Sequence, residues 1–441
     1  MTQLTCINKD CMRKPGRGTS RLILVGNNNN KAVSMQKLRS FSSSGKSLPR
    51  RELLRRAAWS GISLLAPATL SACGGSNTVA ELRQLLLTHW QARYPGKAGG
   101  LSLQIISASD NYFASSLSGV TARHHFRGAS TTKTFTAAAI MLLDQRGLLR
   151  IDDTVATNMP GRSESYLPDT PGYALPHRDQ VTIRQLLGHR AGIFDLSNQL
   201  IPVSSNALYA GRGYLDWCIS DNPRHSFTKD ELAGVLAVNQ LSNFSPGLKY
   251  SYSDSGYMLL GKIVEQVSGA PLDAFKTREL LQPNGLTDTH FVTDGAEWAL
   301  PAPCLDGFSL SGGQLLPRTQ YNYSYDPGSG NMITTPADLA RWIRRLLRGE
   351  AGIAPSQVAR MCDVMPDSSY GLGIARRRAA GQDFGFGHTG ATGGYITDVF
   401  YDAKADVSYL LQISLADFDD MAGEFEWAGA IELDVRKMIN S

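Results

Sequence analysis

The chain has little of what marks metal-binding, disulfide-stapled or membrane-spanning proteins. It holds only six cysteines and eight histidines among 441 residues, and neither type follows a metal-ligand spacing. It also lacks a Gly-x-Ser-x-Gly turn and a glycine-rich phosphate-binding loop. The apolar stretch at residues 57–72 contains Pro67 and is shorter than the roughly 20 residues of a transmembrane helix. We therefore expect no metal and no cofactor.

Positive charge is concentrated in the first 72 residues. They contain 13 lysines and arginines against two acids, Asp10 and Glu52, which gives a net charge of +11. Subtracting this from the +5 of the whole chain leaves −6 on residues 73–441. The net positive charge of the chain thus comes from the leader, and we expect no nucleic-acid partner.

The leader, residues 1–72, predicts export. Arg50-Arg51-Glu52-Leu53-Leu54 resembles a twin-arginine motif. The apolar stretch ends in Leu70-Ser71-Ala72-Cys73, which resembles a bacterial lipoprotein processing box. We expect a lipid on Cys73 and a location at the periplasmic side of a bacterial membrane, with a plain signal peptide as the alternative. Residues 1–34 fit no part of a signal, and our hypothesis is that translation begins at Met35.

The remaining residues, 73–441, are too many for one small core and predict two associated domains. Strand-like runs stand near both ends of this part, whereas short helices and long loops fill its middle. We expect an α+β fold with an antiparallel sheet flanked by helices, built from residues 73–150 and 321–441. A helical domain is expected at residues 151–320.

Apolar periodicity places the individual elements. Thr78 and Glu81 are expected to cap the first helix, and Gly147 to end the second. Predicted helices cover residues 78–94, 137–146, 181–189, 229–238, 257–267, 336–348 and 422–439. Predicted strands cover residues 101–106, 112–117, 371–375, 384–388, 395–401 and 407–413.

The pattern Ser-x-x-Lys offers a nucleophile with a base beside it. Ser130 and Lys133 share one face at the start of the second helix. A serine hydroxyl is a weak nucleophile without a base, and a lysine whose charge is disfavoured by its surroundings can act as one. The pattern also occurs at residues 43–46 in the leader and at 226–229, where it is typical of an ordinary helix start.

Two further motifs follow in order, Tyr252-Ser253-Asp254 and His388-Thr389-Gly390, the latter at the end of a predicted strand. With Ser130 and Lys133, they make the sequence similar to the penicillin-recognising serine hydrolases. This family includes class C β-lactamases, D-alanyl-D-alanine carboxypeptidases and esterases. The resemblance runs from about residue 101 to the C-terminus. Three motifs in family order are specific, although each one alone is weak.

The resemblance implies a role for each motif. Ser130 would form an acyl-enzyme, Lys133 would activate it, and Tyr252 would pass a proton to the leaving group. The backbone N–H groups of Ser130 and Ala391 would form the oxyanion hole. His189 is expected to be structural. The substrate-binding residues implied are Asp254, His388, Thr389, Gly390 and Ala391.

Two residues depart from the class C pattern. His388 stands where those enzymes carry lysine, and a neutral histidine offers no fixed charge to a substrate carboxylate. One of the arginines at 376–378 could supply that charge instead, or all three could be solvated. Asp254 stands where the family usually has asparagine, and an ionised aspartate only accepts hydrogen bonds and favours charged Lys133. The first change moves the expectation from β-lactamase toward carboxypeptidase and esterase activity. From the second we expect esters to be preferred to peptides and β-lactams.

The expected function is that of a serine hydrolase, D-alanyl-D-alanine carboxypeptidase-like or β-lactamase-related. Its expected partners are a small peptide, ester or β-lactam substrate and a membrane reached through the lipid anchor. An esterase of the same fold is one alternative. The other is a non-catalytic module that only binds penicillin-like ligands.

Overall fold

A computed structural model describes the chain over residues 74–439, with side chains from residue 77 onward. The leader and Cys73 lie outside the described residues. Within the described range, no helix combines the length and the apolar character needed to cross a bilayer.

The described chain alternates helices and strands. Its α-helices are α1 (Gly74–Arg93), α2 (Thr132–Gln145), α3 (Ile183–Leu187), α4 (Tyr214–Asp221), α5 (Lys229–Val238), α6 (Asp254–Ser268), α7 (Leu272–Lys276), α8 (Pro336–Leu347), α9 (Pro355–Met361) and α10 (Met421–Ile439). Its strands are β1 (Leu101–Ile106), β2 (Asn111–Ser115), β3 (Phe126–Arg127), β4 (His290–Phe291), β5 (Phe308–Ser311), β6 (Gln314–Pro317), β7 (Met332–Thr334), β8 (Ala375–Ala379), β9 (Gln382–Thr392), β10 (Tyr395–Asp402), β11 (Val407–Ile413) and β12 (Leu415–Asp417).

The main sheet has six strands in the order β2-β1-β11-β10-β9-β8. Every neighbouring pair is antiparallel, which confirms the predicted α+β class with an antiparallel sheet. Its strands come from both ends of the described chain, as expected. Two three-stranded sheets, β12-β5-β6 and β3-β7-β4, were not predicted, because their strands are only two to four residues long.

Side-chain alternation along the strands divides the apolar interior into two cores. On β10, Ile396 and Phe400 belong to the core shared with α1 and α10. Tyr395 and Val399 point the other way, into the core that includes α2, α6 and α8. This period of two is what a sheet covered on both faces requires. The division of the chain at residues 150 and 321 stays a prediction.

Helix α2 runs through the centre of the second core, with all its residues from Thr132 to Leu143 buried. The Phe135 ring stacks on Trp342 of α8 at 4.1 Å between centroids, and the Trp342 indole N–H donates to Thr134 at 2.9 Å. Gly147, with φ +69°, lies just beyond the helix end, as predicted. These contacts fix the helix that carries the Ser-x-x-Lys pattern.

Three expected boundaries are wrong. α1 begins at Gly74, so Thr78 lies inside the helix and cannot cap it. Of the predicted strand at residues 371–375, only Ala375 belongs to a strand, since β8 starts there. An ideal Cβ on Gly373, whose φ is +77°, would lie 2.2 Å from Ala137, so close packing on α2 bends the chain here. Finally, β9 continues to Thr392, so the His-Thr-Gly motif lies within the strand and not at its end.

Candidate active site

Ser130 lies in a tight 3-10 turn, Ala129–Thr131, immediately before α2. The preceding residue, Ala129, has φ +49°, a left-handed conformation that costs a non-glycine residue about 1–2 kcal/mol. Its backbone N–H donates to the Tyr323 hydroxyl at 2.8 Å. Such strain persists where surrounding contacts impose it, and functional sites are the usual place. Ser130 itself is half-buried and faces the motif residues.

Lys133 is fully buried, and its ammonium nitrogen has three oxygen neighbours. It lies 3.1 Å from Ser130 Oγ and 2.9 Å from the Ser329 carbonyl oxygen, and it forms an ion pair with Asp254. A charged lysine donates to all three. A neutral amine would still donate two protons, to Ser329 and Asp254, and would turn its lone pair toward the Ser130 hydroxyl. The geometry therefore suits both protonation states.

Asp254 occupies the first turn of α6 with its carboxylate facing Lys133. The cap of that helix is Ser253, whose hydroxyl accepts from the Gly256 N–H at 3.3 Å. The second Asp254 oxygen accepts from Asn198 Nδ2 at 2.9 Å. The aspartate therefore lies beside the lysine and does not turn away to cap the helix.

Two more aspartates adjoin this ion pair, and the sequence motifs gave no sign of them. Burial, followed by the charge of Asp254, raises the pKa of Asp195 well above its usual value. The same two causes raise the pKa of Asp326 to about 7. One buried cation cannot balance three carboxylates, so proton uptake by the other two is expected. We call Lys133, Asp195, Asp254 and Asp326 the lysine cluster.

Tyr252 also lies beside Ser130, whose side chain adjoins the tyrosine hydroxyl. Burial, and then the Asp254 charge, raise the pKa of Tyr252 well above 10. The free protein thus holds Tyr252 as a phenol and not as a phenolate. His189 stacks on the Tyr252 ring at 4.2 Å and accepts from the Ser253 N–H at 3.1 Å. It orients the loop, which agrees with its expected structural role.

Strand β9 brings the third motif against the Ser130 turn. An ideal Cβ on Gly390 would lie 2.6 Å from the Gly128 carbonyl oxygen and 3.3 Å from the Ser130 nitrogen. Only glycine allows this approach, which places the next residue, Ala391, beside the Ser130 backbone. β8 pairs with β9 only as far as Gly387, and the half-exposed Thr389 and Ala391 lie beyond that point.

His388 is not available to a substrate as a charged group. Its Nδ1 donates to the Thr389 carbonyl oxygen, so Nε2 must accept from the Tyr370 hydroxyl, at 2.8 Å. Burial, and then the Lys133 charge, lower the pKa of His388 to about 3. The ring is therefore neutral and nearly enclosed. The sequence motifs indicated a neutral His388 but not its partner Tyr370, which begins a Tyr-Gly-Leu-Gly stretch at residues 370–373.

The arginines before β9 do not replace the missing lysine. Arg376 is paired with Asp383. Arg377 is paired with Asp398 at 2.6 Å and lies 3.4 Å from Glu432. Arg378 is opposite Asp383. Asp383 precedes His388 by five residues on β9, which is about 16 Å in an extended strand.

The chain belongs to the Beta-lactamase family, whose sequence profile matches residues 30–423. This confirms the family and the fold inferred from the three motifs. Two solved structures share the fold. The D-amino acid amidase from Ochrobactrum anthropi SV3 superposes with a TM-score of 0.65 at 22% identity, over 83% of this chain and all of that one. A penicillin-binding protein from Bacillus halodurans gives 0.57 at 19% identity, over 75% and 94%.

Curated relatives match a shorter part of the chain. One is the "Putative D-alanyl-D-alanine carboxypeptidase" of Escherichia coli K12, 33% identical over 164 residues, which are 37% of this chain and 33% of that protein. "Protein flp" of Staphylococcus aureus is 27% identical over 218 residues, 49% and 37% of the two chains. The matched segment thus spans about a third of each relative's length.

Proposed function

We propose that the protein hydrolyses acyl substrates through an acyl-enzyme on Ser130. The observation that most supports this proposal is the environment of the Lys133 side-chain nitrogen. Two fixed acceptors, Ser329 and Asp254, take two of its protons. The remaining position faces Ser130 Oγ at 3.1 Å, which is the geometry of a base beside its nucleophile.

The proton path follows from these contacts. Neutral Lys133 takes the Ser130 proton as Oγ attacks the carbonyl carbon, and the oxyanion forms beside the backbone N–H groups of Ser130 and Ala391. The Tyr252 phenol then donates its proton to the leaving group and recovers one from the lysine. Water then attacks the acyl-enzyme ester through the same proton transfers, which releases the carboxylic acid and restores Ser130.

The surroundings of β9 favour substrates that carry no carboxylate at this end. His388 is neutral, and Arg376 and Arg377 are engaged with acids. A carboxylate held here would lose its hydration without gaining a partner cation, which is costly. Short esters and amides avoid that cost. They are the substrate class that we propose, and this continues the preference for esters expected from Asp254.

A D-alanyl-D-alanine carboxypeptidase is the second candidate. The edge of β9 beyond Gly387 faces away from β10 and extends past the end of its pairing with β8. An extended peptide can bind such an edge as an added strand. The name of the Escherichia coli relative points the same way.

Covalent labelling tests the nucleophile. A fluorophosphonate should add to the peptide containing Ser130, and Ser130→Ala should abolish both labelling and turnover. Ser226→Ala is a matched control, because Ser226 also begins a Ser-x-x-Lys pattern. There, Ser226 accepts from the Gly295 N–H at 2.9 Å, and Lys229 pairs with Glu265 at 3.0 Å. Labelling that survives Ser130→Ala would overturn the proposal, as would a protein that takes no label and turns over no substrate, since it would be the non-catalytic module.

Substrate class is tested by intact mass and kcat/KM. An activated ester, a D-amino acid amide, a D-Ala-D-Ala peptide and a β-lactam should be compared under one set of conditions. We expect acylation by the ester and the amide to exceed that by the two carboxylate-bearing compounds. The reverse order would establish the carboxypeptidase candidate instead.

We also propose that Cys73 is lipidated and holds the protein at the periplasmic side of a membrane. The support is the Leu-Ser-Ala-Cys box and the preceding twin-arginine motif. Cys73→Ser should release active enzyme into the soluble periplasmic fraction. Unchanged membrane association in that variant would contradict the anchor.

A further inference from the structure

Three residues that bind transition metals converge away from Ser130. They are Cys218 on α4, His225 in the loop that follows, and Glu231 in the first turn of α5. Their ligand atoms (one sulfur, one ring nitrogen and one carboxylate oxygen) all lie within 4.8 Å of one another. A tetrahedral zinc ion holds such atoms about 3.3–3.6 Å apart. The three ligand atoms therefore lie within about 1.5 Å of the separations that zinc requires.

We propose that Cys218, His225 and Glu231 form a binding site for a zinc-like divalent cation. The mixture of thiolate, imidazole and carboxylate is the donor set that suits Zn²⁺, whereas Mg²⁺ and Ca²⁺ prefer oxygen alone. Three protein ligands leave a fourth position for water or another ligand. Side-chain exposures of 27% for His225 and 20% for Glu231 give the ion a route in.

The polar contacts of the site already have the form of a metal centre. His225 Nε2 lies 2.9 and 3.0 Å from the two Glu231 oxygens, so the ring nitrogen and the carboxylate already face each other, as two ligands of one cation would. The Tyr214 hydroxyl donates to Glu231 at 2.7 Å and also adjoins Cys218. A partner of this kind orients a ligating carboxylate.

The loop that carries His225 is held firmly, which favours a preformed site. The His225 carbonyl oxygen accepts from Asn322 Nδ2 at 2.7 Å and from Ser324 Oγ at 3.2 Å. Gly295 lies so close that an ideal Cβ there would be 2.2 Å from the same oxygen. Ligands that are fixed before binding lose little entropy when the ion arrives.

No sequence motif indicates this site. Metal motifs are recognised by repeated cysteines and histidines at short spacings, and this trio contains one residue of each kind. None of its residues belongs to the motifs around Ser130. This proposal departs from the expectation of no metal.

The chain offers a matched control for an ordinary ion pair. His290 Nε2 lies 2.8 Å from Glu297 Oε1, the same pairing as His225 with Glu231. The metal-ligating groups that converge within the described residues are Cys218, His225 and Glu231 alone, so no thiol completes the His290 pair. If zinc recognises only a histidine beside a glutamate, both pairs should respond alike.

The test uses protein stripped with a chelator and then titrated with Zn²⁺ against a chromophoric competitor, and with Co²⁺ for its spectrum. We expect one zinc per chain, a thiolate-to-cobalt charge-transfer band, and a melting temperature that rises with zinc. Cys218→Ser, a near-isosteric change, should remove all three effects while leaving the melting temperature in chelator unchanged. His290→Ala and Cys362→Ser should retain them.

Two results would overturn the proposal. One is the absence of stoichiometric zinc binding by the wild type. The other is a cobalt–thiolate band or a zinc-dependent melting shift that persists in Cys218→Ser. If Cys218→Ser does not fold, Glu231→Gln replaces it, because the amide keeps the size of the side chain and weakens the ligand. Unchanged zinc affinity in that variant would also refute the site.

Discussion

Two of the buried groups of charges within the described residues differ in their cation. The lysine cluster adjoins Ser130, whereas the second group lies between the sheet and α10. There Arg377 is 2.6 Å from Asp398 and 3.4 Å from Glu432, and burial raises the pKa of both carboxyl groups. We call Arg377, Asp398 and Glu432 the arginine cluster. Each cluster contains more carboxyl groups than cations.

The difference between the cations matches their surroundings. Arginine keeps its proton at any pH relevant to proteins, whereas lysine can become neutral when its environment changes. Lys133 has a hydroxyl among its three neighbours, so a neutral lysine has a proton to take. Arg377 faces two carboxyl groups and serves as a permanent counter-charge. A buried excess of carboxyl groups therefore indicates chemistry only when the cation can give up its proton beside a nucleophile.

Exchanging the two cations should produce the largest effects. Lys133→Arg keeps the charge but removes the base, so kcat/KM should fall by about 10²–10⁴-fold, the usual contribution of a positioned acid or base. Arg377→Lys should leave kcat/KM near that of the wild type. It should instead lower the free energy of unfolding by about 1–3 kcal/mol, because one ammonium cannot serve both acids equally well. Ester kinetics and urea unfolding measure the two outcomes.

A double variant that lacks both charges distinguishes loss of the base from a folding defect at the buried lysine. Lys133→Gln combined with Asp254→Asn removes both charges and retains groups that can hydrogen-bond. It should be as inactive as Lys133→Arg while unfolding cooperatively. Substantial activity in a folded protein without Lys133 would show that another group is the base and would remove the contrast between the clusters.

Sequence patterns predicted the parts of the molecule that local periodicity and motif spacing control. The antiparallel sheet, α5 with its Thr228 cap and the pairing of Ser130 with Lys133 all follow from short stretches. The lysine cluster could not be found this way. Asp195 and Asp326 are 131 residues apart in sequence, and only the packing of their loops on α6 brings them near Lys133. The locked state of His388 likewise depends on the distant Tyr370 hydroxyl.

Asp254→Asn should change substrate preference by a smaller factor. The new amide can donate to a substrate carbonyl, so kcat/KM for a D-Ala-D-Ala peptide should rise about 2–10-fold relative to an ester, the value of one hydrogen bond. In this variant the side-chain amide of Asn198 must flip, because its Nδ2 donates to Asp254 at 2.9 Å in the wild type. Asn198→Ala in the same background is the control and should leave the new preference intact. A variant that loses peptide activity while keeping ester activity would show that the argument has the wrong sign.

Asp326→Asn should have the smallest effect, visible only as a change in pH dependence. The folded protein holds the pKa of Asp326 at about 7, whereas an unfolded aspartate titrates near 3.9. Between about pH 4 and pH 7 the folded state therefore binds the extra proton. Stability from this group is complete below that window, falls as pH rises through it, and is lost above it.

The asparagine variant removes that titration and keeps an oxygen to accept from Ser197, which donates at 2.5 Å. Its free energy of unfolding should decline less steeply with pH than that of the wild type, by at most about 1.4 kcal/mol per pH unit for one proton. Asp398→Asn in the arginine cluster provides the contrast. Arg377 keeps its charge and loses a partner, so this variant should be destabilised across the whole range. Urea unfolding from about pH 5 to pH 8 measures both variants. Parallel curves for the wild type and Asp326→Asn would mean that Asp326 is already ionised beside Lys133, and the two clusters would then balance their charges in the same way.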